Sequence, residues 1–148
     1  MKILSFVLCL IFLSSPLCSI ERSVFFSAKF DDSTPQKLQK MSSISFNEIK
    51  ESTSIASDKK YFSLPKALYY INYSASTLDS SPKNPSMFQA FLNKEGLGGT
   101  YFSFPISEIN SGLPCIFRAD KDVNILEIRS LSDCNLKSCY LSVTKLAG

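Results

Sequence analysis

The 148-residue sequence contains no histidine, which is the side chain that most often acts as a general base in enzymes. Without it the chain cannot build a Ser-His or Cys-His nucleophile pair, and it lacks the most frequent zinc ligand. Paired carboxylates remain, as in glycoside hydrolysis, and the obvious pairs are Asp31 with Asp32 and Asp120 with Asp122. Because aspartate is an ordinary residue of turns, and all four lie in turn-like segments, we expect that the protein is not an enzyme.

The same aspartates carry the hard oxygen atoms that Ca²⁺ prefers, so calcium is the one metal ion that the sequence leaves open. Residues 96–99 are rich in glycine, but a phosphate-binding loop also needs a Lys-Ser/Thr pair and a following helix. Here a β-rich run begins at Thr100 instead. We therefore interpret residues 96–99 as a flexible turn and expect no organic cofactor.

The charges of the chain are nearly balanced and interspersed. There are 16 Lys and Arg residues against 13 Asp and Glu residues, and the densest basic spot is the pair Lys59 and Lys60. Such a pair is typical of a solvated turn or strand edge. Since proteins that bind nucleic acid usually carry a clustered positive charge, we expect no nucleic-acid partner.

The first 19 residues have the pattern of a secretory signal peptide, with Lys2 followed by an apolar run and then by small polar residues. The apolar run is shorter than the roughly 20 residues that span a bilayer. Cleavage after Ser19 would leave residues 20–148 as one domain of a secreted protein. The alternative is acylation of Cys18, which would anchor the protein to a cell surface; this is the one membrane association that the sequence offers.

Short runs of β-branched and aromatic residues recur after the signal, with turn residues between them and no sustained 3.6-residue period. This pattern predicts an all-β fold, a two-sheet antiparallel sandwich or jelly roll. The predicted strands cover residues 24–30, 44–49, 61–64, 67–76, 87–93, 100–104, 113–118, 123–130 and 138–145. The predicted connections cover residues 31–35, 78–85, 96–99, 110–112 and 119–122, with a short helical turn in 36–41.

One predicted strand is apolar on both faces. Alternation places Tyr69, Ile71 and Tyr73 on one face and Leu68 and Tyr70 on the other. The last predicted strand repeats the pattern, with Tyr140 opposite Leu141. A strand of a sandwich normally buries one face and leaves the other in water, so the second apolar face needs a cover. The cover is either another subunit or an extra loop of the same chain.

An ordered set of segments resembles the jelly-roll domains of the C1q and tumour-necrosis-factor-like family. The segments are VFFSA at 24–28, ISFNEI at 44–49, YFSLP and ALYYINY within 61–73, the hairpin within 111–123 and YLSVTKL at 140–146. Together they extend over essentially the whole chain after the signal. Two positions depart from the family pattern: Ala67 replaces a glycine, and a hairpin glycine is missing near Lys121, so Asp120 or Asp122 must form that turn.

The resemblance implies a homotrimer assembled around a three-fold axis, which would cover the second apolar face. Leu68, Tyr70 and Tyr140 would line the axis, and Asn72 would add a polar ring to it. Asn72 also begins the glycosylation sequon Asn72-Tyr73-Ser74, but a strand in an interface is a poor site for a glycan, so we do not expect it to be occupied.

The cysteines that remain after signal cleavage are Cys115, Cys134 and Cys139. Three thiols in an exported protein indicate one disulfide and one remaining cysteine, whereas a zinc site would need a fourth ligand. Cys134 and Cys139 are close enough in sequence to close a small ring. In the sheet order of the resembled family the strand of Cys115 is not adjacent to the last strand. The resemblance thus favours a Cys134–Cys139 disulfide, with Cys115 buried as a small hydrophobic residue.

These observations predict a secreted trimeric recognition module that binds a protein or a glycan through exposed loops or inter-subunit grooves. The alternative is a structural surface or coat component built from the same trimers, lipid-anchored if Cys18 is acylated. The first candidate for partner contact is the loop 77–85, with Thr77, Asp79, Lys83 and Asn84. That this loop is a plain connection remains an alternative.

Overall fold

The computed structural model describes residues 24–51, 59–81, 83–103 and 113–147, and within these ranges it contains nine strands and no helix. They are β1 (Val24–Leu38), β2 (Glu48–Glu51), β3 (Phe62–Leu64), β4 (Ala67–Thr77), β5 (Ser86–Leu92), β6 (Glu95–Ser103), β7 (Leu113–Ala119), β8 (Asn124–Ser130) and β9 (Cys134–Ala147). Over the same ranges, no helix is present that could cross a bilayer. The predicted signal peptide and the predicted connection 110–112 lie outside the described residues.

The strands form two antiparallel sheets, which confirms the predicted fold class. One sheet has five strands in the order β2-β1-β9-β4-β7, and the other has four in the order β3-β8-β5-β6. Strand β9 lies at the centre of the larger sheet, where Val143 pairs with Phe26 of β1 on one side and with Ile71 of β4 on the other. The central strand of the five-stranded sheet is therefore the last strand in the sequence.

The core fills the space between the sheets and follows the predicted alternation. Tyr69, Ile71 and Tyr73 of β4 are at most 2% exposed. The rings of Phe26 and Phe62 stack across the two sheets at 4.7 Å between centroids. Burying each such large apolar side chain contributes about 1.5–3 kcal/mol to stability, so this layer holds the sandwich together.

The predicted connection 31–35 is wrong, because these residues belong to β1. The pairing of β1 with β9 shifts in register between Asp31 and Gln36, so the extra residues form an irregular bulge and the strand continues. Within the bulge, the Asp32 carboxylate accepts hydrogen bonds from the Ser33 hydroxyl and the Thr34 amide. The turn-forming residues here bend a strand without ending it, and the predicted helical turn that follows is replaced by the end of β1.

The predicted turn at residues 96–99 is wrong as well, since these residues lie inside β6. The chain reverses earlier, at Asn93 and Lys94, which both have positive φ angles of 52° and 73°. Two such residues between paired strands form the tight turn that matches strand twist. Gly98, at φ 60°, lies where β5 and β6 shift register, so glycine is used here for a bulge.

The segment 44–49, predicted as one strand, forms a regular ladder only at its end, and its start lies beside β8. The Ile44 amide donates to the Ile128 carbonyl, and Ser43 bridges Arg129. Ile44 and Phe46 are buried, which explains the strand-like alternation of the sequence. Regular pairing begins later, at Glu48 in β2.

The turn between β7 and β8 is organised by Asn124, and neither Asp120 nor Asp122 takes the predicted role. The Asn124 side chain is fully buried. Its Nδ2 donates to the carbonyls of Leu64 and Lys121, and its Oδ1 accepts from the Asn93 Nδ2 and the Lys121 amide. One side chain thereby ties this turn to the end of β3 and to the β5–β6 turn.

Candidate functional site

The side of the five-stranded sheet that is turned away from the second sheet, called the open face below, carries the residues predicted to form an interface. Alternation along each strand defines it, because the neighbours of the core residues point to this side. It comprises Ser27 and Lys29 of β1, Leu68, Tyr70, Asn72 and Ser74 of β4, Ile116 and Arg118 of β7, and Tyr140 and Ser142 of β9. Leu68, Tyr70, Asn72 and Tyr140 therefore lie on one surface, as expected.

Apolar side chains on the open face are exposed far more than core residues are. Ile116 is 62% exposed and Tyr140 is 47% exposed, while Leu68 and Tyr70 are half-buried. Ile116 pairs directly with Tyr70 across β7 and β4. The outcome is an apolar area of Leu68, Tyr70 and Ile116 on β4 and the edge strand β7, which the described residues of the chain do not cover.

Tyr140 is held in place by charged neighbours. The Lys29 Nζ lies 5.5 Å from the centre of the Tyr140 ring and 2.9 Å from an Asp31 carboxylate oxygen. The Tyr140 hydroxyl lies 3.5 Å from the same oxygen and can donate to it. The Lys29–Asp31 hydrogen bond raises the pKa of Lys29 and lowers the pKa of Asp31. These contacts give an exposed aromatic ring a fixed orientation.

A groove of about 330 Å³ runs along the open face beside Tyr140. Small polar side chains and longer charged side chains both line it. The open-face residues that line it are Ser27, Lys29, Asn72, Ser74, Tyr140 and Ser142, joined by Glu48 and Lys50 of β2. The groove thus takes up one end of the open face, beside Tyr140, and the apolar side chains of Leu68, Tyr70 and Ile116 lie towards the other end, on β4 and β7.

Asn72 occupies the middle of the open face. It pairs with Ser142 of β9 and with Pro114 of β7. Its Oδ1 is buried and has no hydrogen-bond partner in the described chain. Such an atom costs free energy in the monomer, about 1–3 kcal/mol for an unpaired buried polar group.

The predicted Cys134–Cys139 disulfide is not formed in the structure, where both residues are free thiols. Both lie in β9, with the side chains buried in the core. Five residues of extended strand span roughly 16 Å, whereas a disulfide needs Cα atoms within about 4.4–6.8 Å. The loop that was expected to bring the two together is strand. Burial raises the pKa of both thiols.

Cys115 is half-buried, where the sequence predicted full burial. It pairs with Ile71 from β7, and its Sγ lies against Gly98 of β6, 3.1 Å from where a Cβ would be. Burial raises its pKa too. It fills a gap between the edges of the two sheets.

The predicted partner loop presents two of its four candidates to solvent without a fixed role. Thr77 is 1% exposed and its hydroxyl bonds that of Ser86 at 3.1 Å. The Asp79 carboxylate accepts from the Asn135 amide and side chain at 3.0–3.2 Å, which fastens the loop to β9. Lys83 and Asn84 are exposed at the tip. The first two residues therefore position the loop and the last two could contact a partner.

The predicted acidic pairs do not converge with other ligating groups. Asp31 is engaged by Lys29, and Asp120 and Asp122 are exposed in the turn before β8. In the part of the chain that the structure describes, no three acidic, cysteine or histidine side chains are placed to hold a metal ion. The carboxylate that is best embedded is Glu127, on the other sheet, where Arg129 and Ser43 donate to it.

Sequence reasoning missed Ile116 and the charged side chains of Glu48 and Lys50 that line the groove. The alternation of Ile116 with the buried Phe117 was readable in the sequence. Its position beside Tyr70 could not be read from the sequence, because neither strand alone determines the register between two strands that are far apart in the chain. Glu48 and Lys50 were missed because the strand β2 was placed too early in the sequence.

Comparisons with known proteins support the architecture. No protein-family model matches the chain, and no curated protein matches it. Among solved structures, the globular domain of zebrafish complement 1qA protein matches with a TM-score of 0.61 at 13% identity, over 80% of this chain and 93% of that one. Pika GITRL matches with a TM-score of 0.51 at 20% identity, over 82% and 97%.

A third solved structure, vertex protein P5 of PRD1, matches with a TM-score of 0.53 at 8% identity, over 83% of this chain and 72% of that one. Identities this low show the fold alone. The two antiparallel sheets and these structural similarities lead to the same fold. The chain therefore has the C1q and tumour-necrosis-factor-like jelly-roll fold.

Proposed function

We propose that the protein is a secreted homotrimeric recognition module whose subunits join through the open face and whose outer loops bind a protein or a glycan. The observation that carries the proposal is the exposure of large apolar side chains at two places on the open face, Ile116 beside Tyr70 and Tyr140 beside the groove. Extended apolar patches are rare on monomeric proteins and usually mark contact sites. The fold shared with a complement 1q domain is consistent with this use of the face.

A rotationally closed assembly fits the asymmetry of the open face. In a ring of three copies each subunit presents two different surfaces, one to each neighbour. The open face has two different regions, an apolar one around Ile116 and Tyr70 and a grooved one beside Tyr140.

The experiment that tests assembly is native mass spectrometry of the secreted chain at micromolar concentration. We expect three times the mass of one processed chain. A single-chain mass at this concentration would refute the proposal. The mass of one chain in the same spectrum also shows where the chain begins. We expect the mass of a chain that begins near Ile20, as signal cleavage would leave it.

The recognition half of the proposal rests on the loop that ends β4. Asp79 and Asn135 hold it in shape, and Lys83 and Asn84 extend from it. A rigid loop on a trimer offers three copies of a weak site, which multiplies binding to a repeated ligand. We expect that the trimer binds members of a glycan or extracellular-protein array, and that Lys83→Glu with Asn84→Ala reduces that binding while the mass stays trimeric. Unchanged binding would move the site elsewhere.

A structural coat component is the second candidate function. The similarity to a vertex protein shows that this fold also serves in such a setting. The two candidates differ in how the chain is held: a surface component is expected to carry acyl chains on Cys18, and a diffusing module is not. Intact-mass measurement of the exported protein distinguishes them, since each acyl chain adds a defined mass.

A further inference from the structure

A second pocket, with a volume of about 280 Å³, lies at the end of the sandwich opposite the loop 77–85. Strand β5 runs from Ser86, beside that loop, to Leu92, which lines the pocket. The β5–β6 turn and the start of β6 form one wall, and the end of β7 with the turn after it forms the other. Since β6 and β7 are edge strands, the pocket lies where the edges of the two sheets meet.

Asn124 holds the two walls together. Its Oδ1 accepts hydrogen bonds from the Asn93 Nδ2 at 3.0 Å and from the Lys121 amide at 3.3 Å, and its Nδ2 donates to the Lys121 carbonyl at 2.6 Å. The Asn93 Oδ1 accepts from the Ile125 amide at 2.9 Å. These bonds fix the shape of the pocket and engage the oxygen and the nitrogen of both side-chain amides. A polar ligand must therefore be held by the charged side chains.

Four charged side chains line the pocket, and all of them are exposed. Arg118, Asp120 and Lys121 belong to the wall formed by β7 and its turn, and Glu95 belongs to the opposite wall. Arg118, at the rim of the open face, reaches the pocket because β7 is an edge strand. Among the residues that the structure describes, none of the four is in an ion pair. The pocket thus offers charged donors and charged acceptors to a ligand, two of each.

We infer that this pocket binds an acidic sugar at the end of a glycan, whose carboxylate is held by Arg118 and Lys121 and whose hydroxyl groups donate to Glu95. The inference rests on the proposed recognition function, but it requires neither the trimer nor the loop 77–85. Guanidinium and ammonium groups bind carboxylates through charge-assisted hydrogen bonds. A sugar hydroxyl can donate to a carboxylate oxygen, which only accepts.

The acidic side chains of the pocket disfavour a simpler anion. The negative charges of Glu95 and Asp120 offset much of the attraction that the two basic side chains exert on a bare carboxylate. A sugar acid recovers this loss, because its hydroxyl groups supply the hydrogen atoms that Glu95 and Asp120 accept. The mixture of charges therefore favours a ligand that combines a carboxylate with several donors.

The size and the apolar surface of the pocket fit one sugar ring. Pockets of drug-sized ligands enclose roughly 300–1,000 Å³, and the volume here is just below that range. The half-buried side chains of Leu92 and Leu97 line the pocket and offer apolar contact to the C–H groups of a ring. The rest of the glycan extends into solvent.

The test uses methyl glucuronide and methyl glucoside, which differ only in that the carboxylate of the first is a hydroxymethyl group in the second. We expect the exported chain to bind the glucuronide at least about tenfold more tightly, with dissociation constants measured by NMR titration. Arg118→Gln should weaken glucuronide binding by at least about tenfold. Lys83→Gln is the matched control, because it removes one exposed positive charge at the other end of the sandwich, and it should leave glucuronide binding unchanged.

Equal affinity for the two methyl glycosides would overturn the inference, as would an R118Q variant that binds like the wild type. Loss of glucuronide binding in K83Q alone would also overturn it and place the sugar on the loop 77–85. These outcomes leave the proposed function standing if the mass is that of three chains. A single-chain mass with intact glucuronide binding would refute the trimer and leave this site.

Glu95→Gln tests the hydroxyl contact separately, at an exposed position where the fold is not expected to change. Glutamine is a weaker acceptor than glutamate, so glucuronide binding should weaken by about fivefold. Acetate, which has no hydroxyl group, should bind more tightly to E95Q because a repelling charge is gone. A tighter glucuronide complex in E95Q would show that Glu95 repels the ligand and would overturn the inference. Tighter wild-type binding of alanine, which joins a carboxylate to an ammonium group, than of methyl glucuronide would overturn it as well.

Discussion

At the level of single residues, buried polar groups are treated in two ways on the two sheets. On the four-stranded sheet Asn124 satisfies both of its amide atoms, and Glu127 receives hydrogen bonds from Arg129 and Ser43. The Arg129 guanidinium lies 4.5 Å from the Phe91 ring centre, which completes its surroundings. On the five-stranded sheet Asn72 is left unpaired. These buried polar groups of the four-stranded sheet are paired within the chain, whereas the Asn72 oxygen of the five-stranded sheet is not.

Glu127 makes the stability of the fold sensitive to acid. Burial by itself raises the pKa of this carboxyl, but the hydrogen bonds from Arg129 and Ser43 and the Arg129 charge outweigh it and hold the pKa below the ordinary 4.5. Because the folded pKa is the lower one, the ionised form stabilises the fold above about pH 4.5, and this contribution is lost as the pH falls through the folded pKa. We expect Glu127→Gln to cost about 1–3 kcal/mol at pH 7 and less at pH 3.

The measurement is urea unfolding of both proteins at the two pH values. Glu95→Gln is the control, because Glu95 is exposed on β6. It should change stability by less than about 0.5 kcal/mol at either pH. An E127Q penalty that is the same at pH 3 and pH 7 would contradict the assigned role of Glu127.

The cysteines provide a second prediction at this scale. We expect all three thiols of the processed chain to be free and to react slowly while the protein is folded, because burial raises their pKa values and the thiolate is the reactive form. Alkylation in denaturant without reductant should add three labels by mass. Addition of a single label would show that two of the cysteines form a disulfide, as the sequence suggested.

At the level of elements, the boundaries of strands depend on residues that the sequence pattern alone places only roughly. The strands β3, β4, β5, β7 and β8 begin and end within a residue or two of prediction, because most are bounded by turn residues that the sequence shows. β1, β6 and β9 are longer than predicted. Their turn-type residues form bulges, and whether Gly98 or Asp31 reverses a chain or bends a strand depends on the partner strand.

The β5–β6 turn yields a prediction for one element. Lys94 adopts φ 73°, a left-handed conformation that costs an L-residue about 1–2 kcal/mol and costs glycine little. Lys94→Gly should therefore raise stability by about 1 kcal/mol, less what glycine gains in the unfolded chain. Thermal unfolding measures the change. Glu95→Gly, one position later in the strand, is the control and should lower the melting temperature.

At the level of the whole molecule, the fold could be predicted from the sequence, but the open face could be predicted only in part. A pattern of short strands and an ordered set of resembling segments led to the jelly roll. The doubly apolar run of β4 led to Leu68 and Tyr70 as surface residues that need a cover. The groove and the pairing of Ile116 with Tyr70 arise from register between strands far apart in sequence, so they required the structure.

Ile116 and Val123 allow the open face to be tested with matched substitutions. They are equally exposed, at 62% and 61%, but only Ile116 lies on the open face. Ile116→Asp should shift the protein from trimer to monomer at micromolar concentration, because a carboxylate would be buried in an apolar contact. Val123→Asp should leave the mass unchanged. Equal masses for the two variants, measured by light scattering, would show that the open face is not the contact.

The central place of β9 also governs when the chain can fold. Its partners β1 and β4 precede it by long stretches of sequence, as the pairing of Phe26 with Val143 shows, and sheets built from such distant contacts form slowly. The pairs β1–β2 and β4–β7 can form earlier, but no strand joins them into one sheet until β9 has been synthesised. A ribosome-bound fragment ending before Cys134 therefore stays without a closed sheet. The proposed export of the chain would benefit from this order of folding, because an unfolded polypeptide passes through a narrow channel more readily than a closed sandwich does.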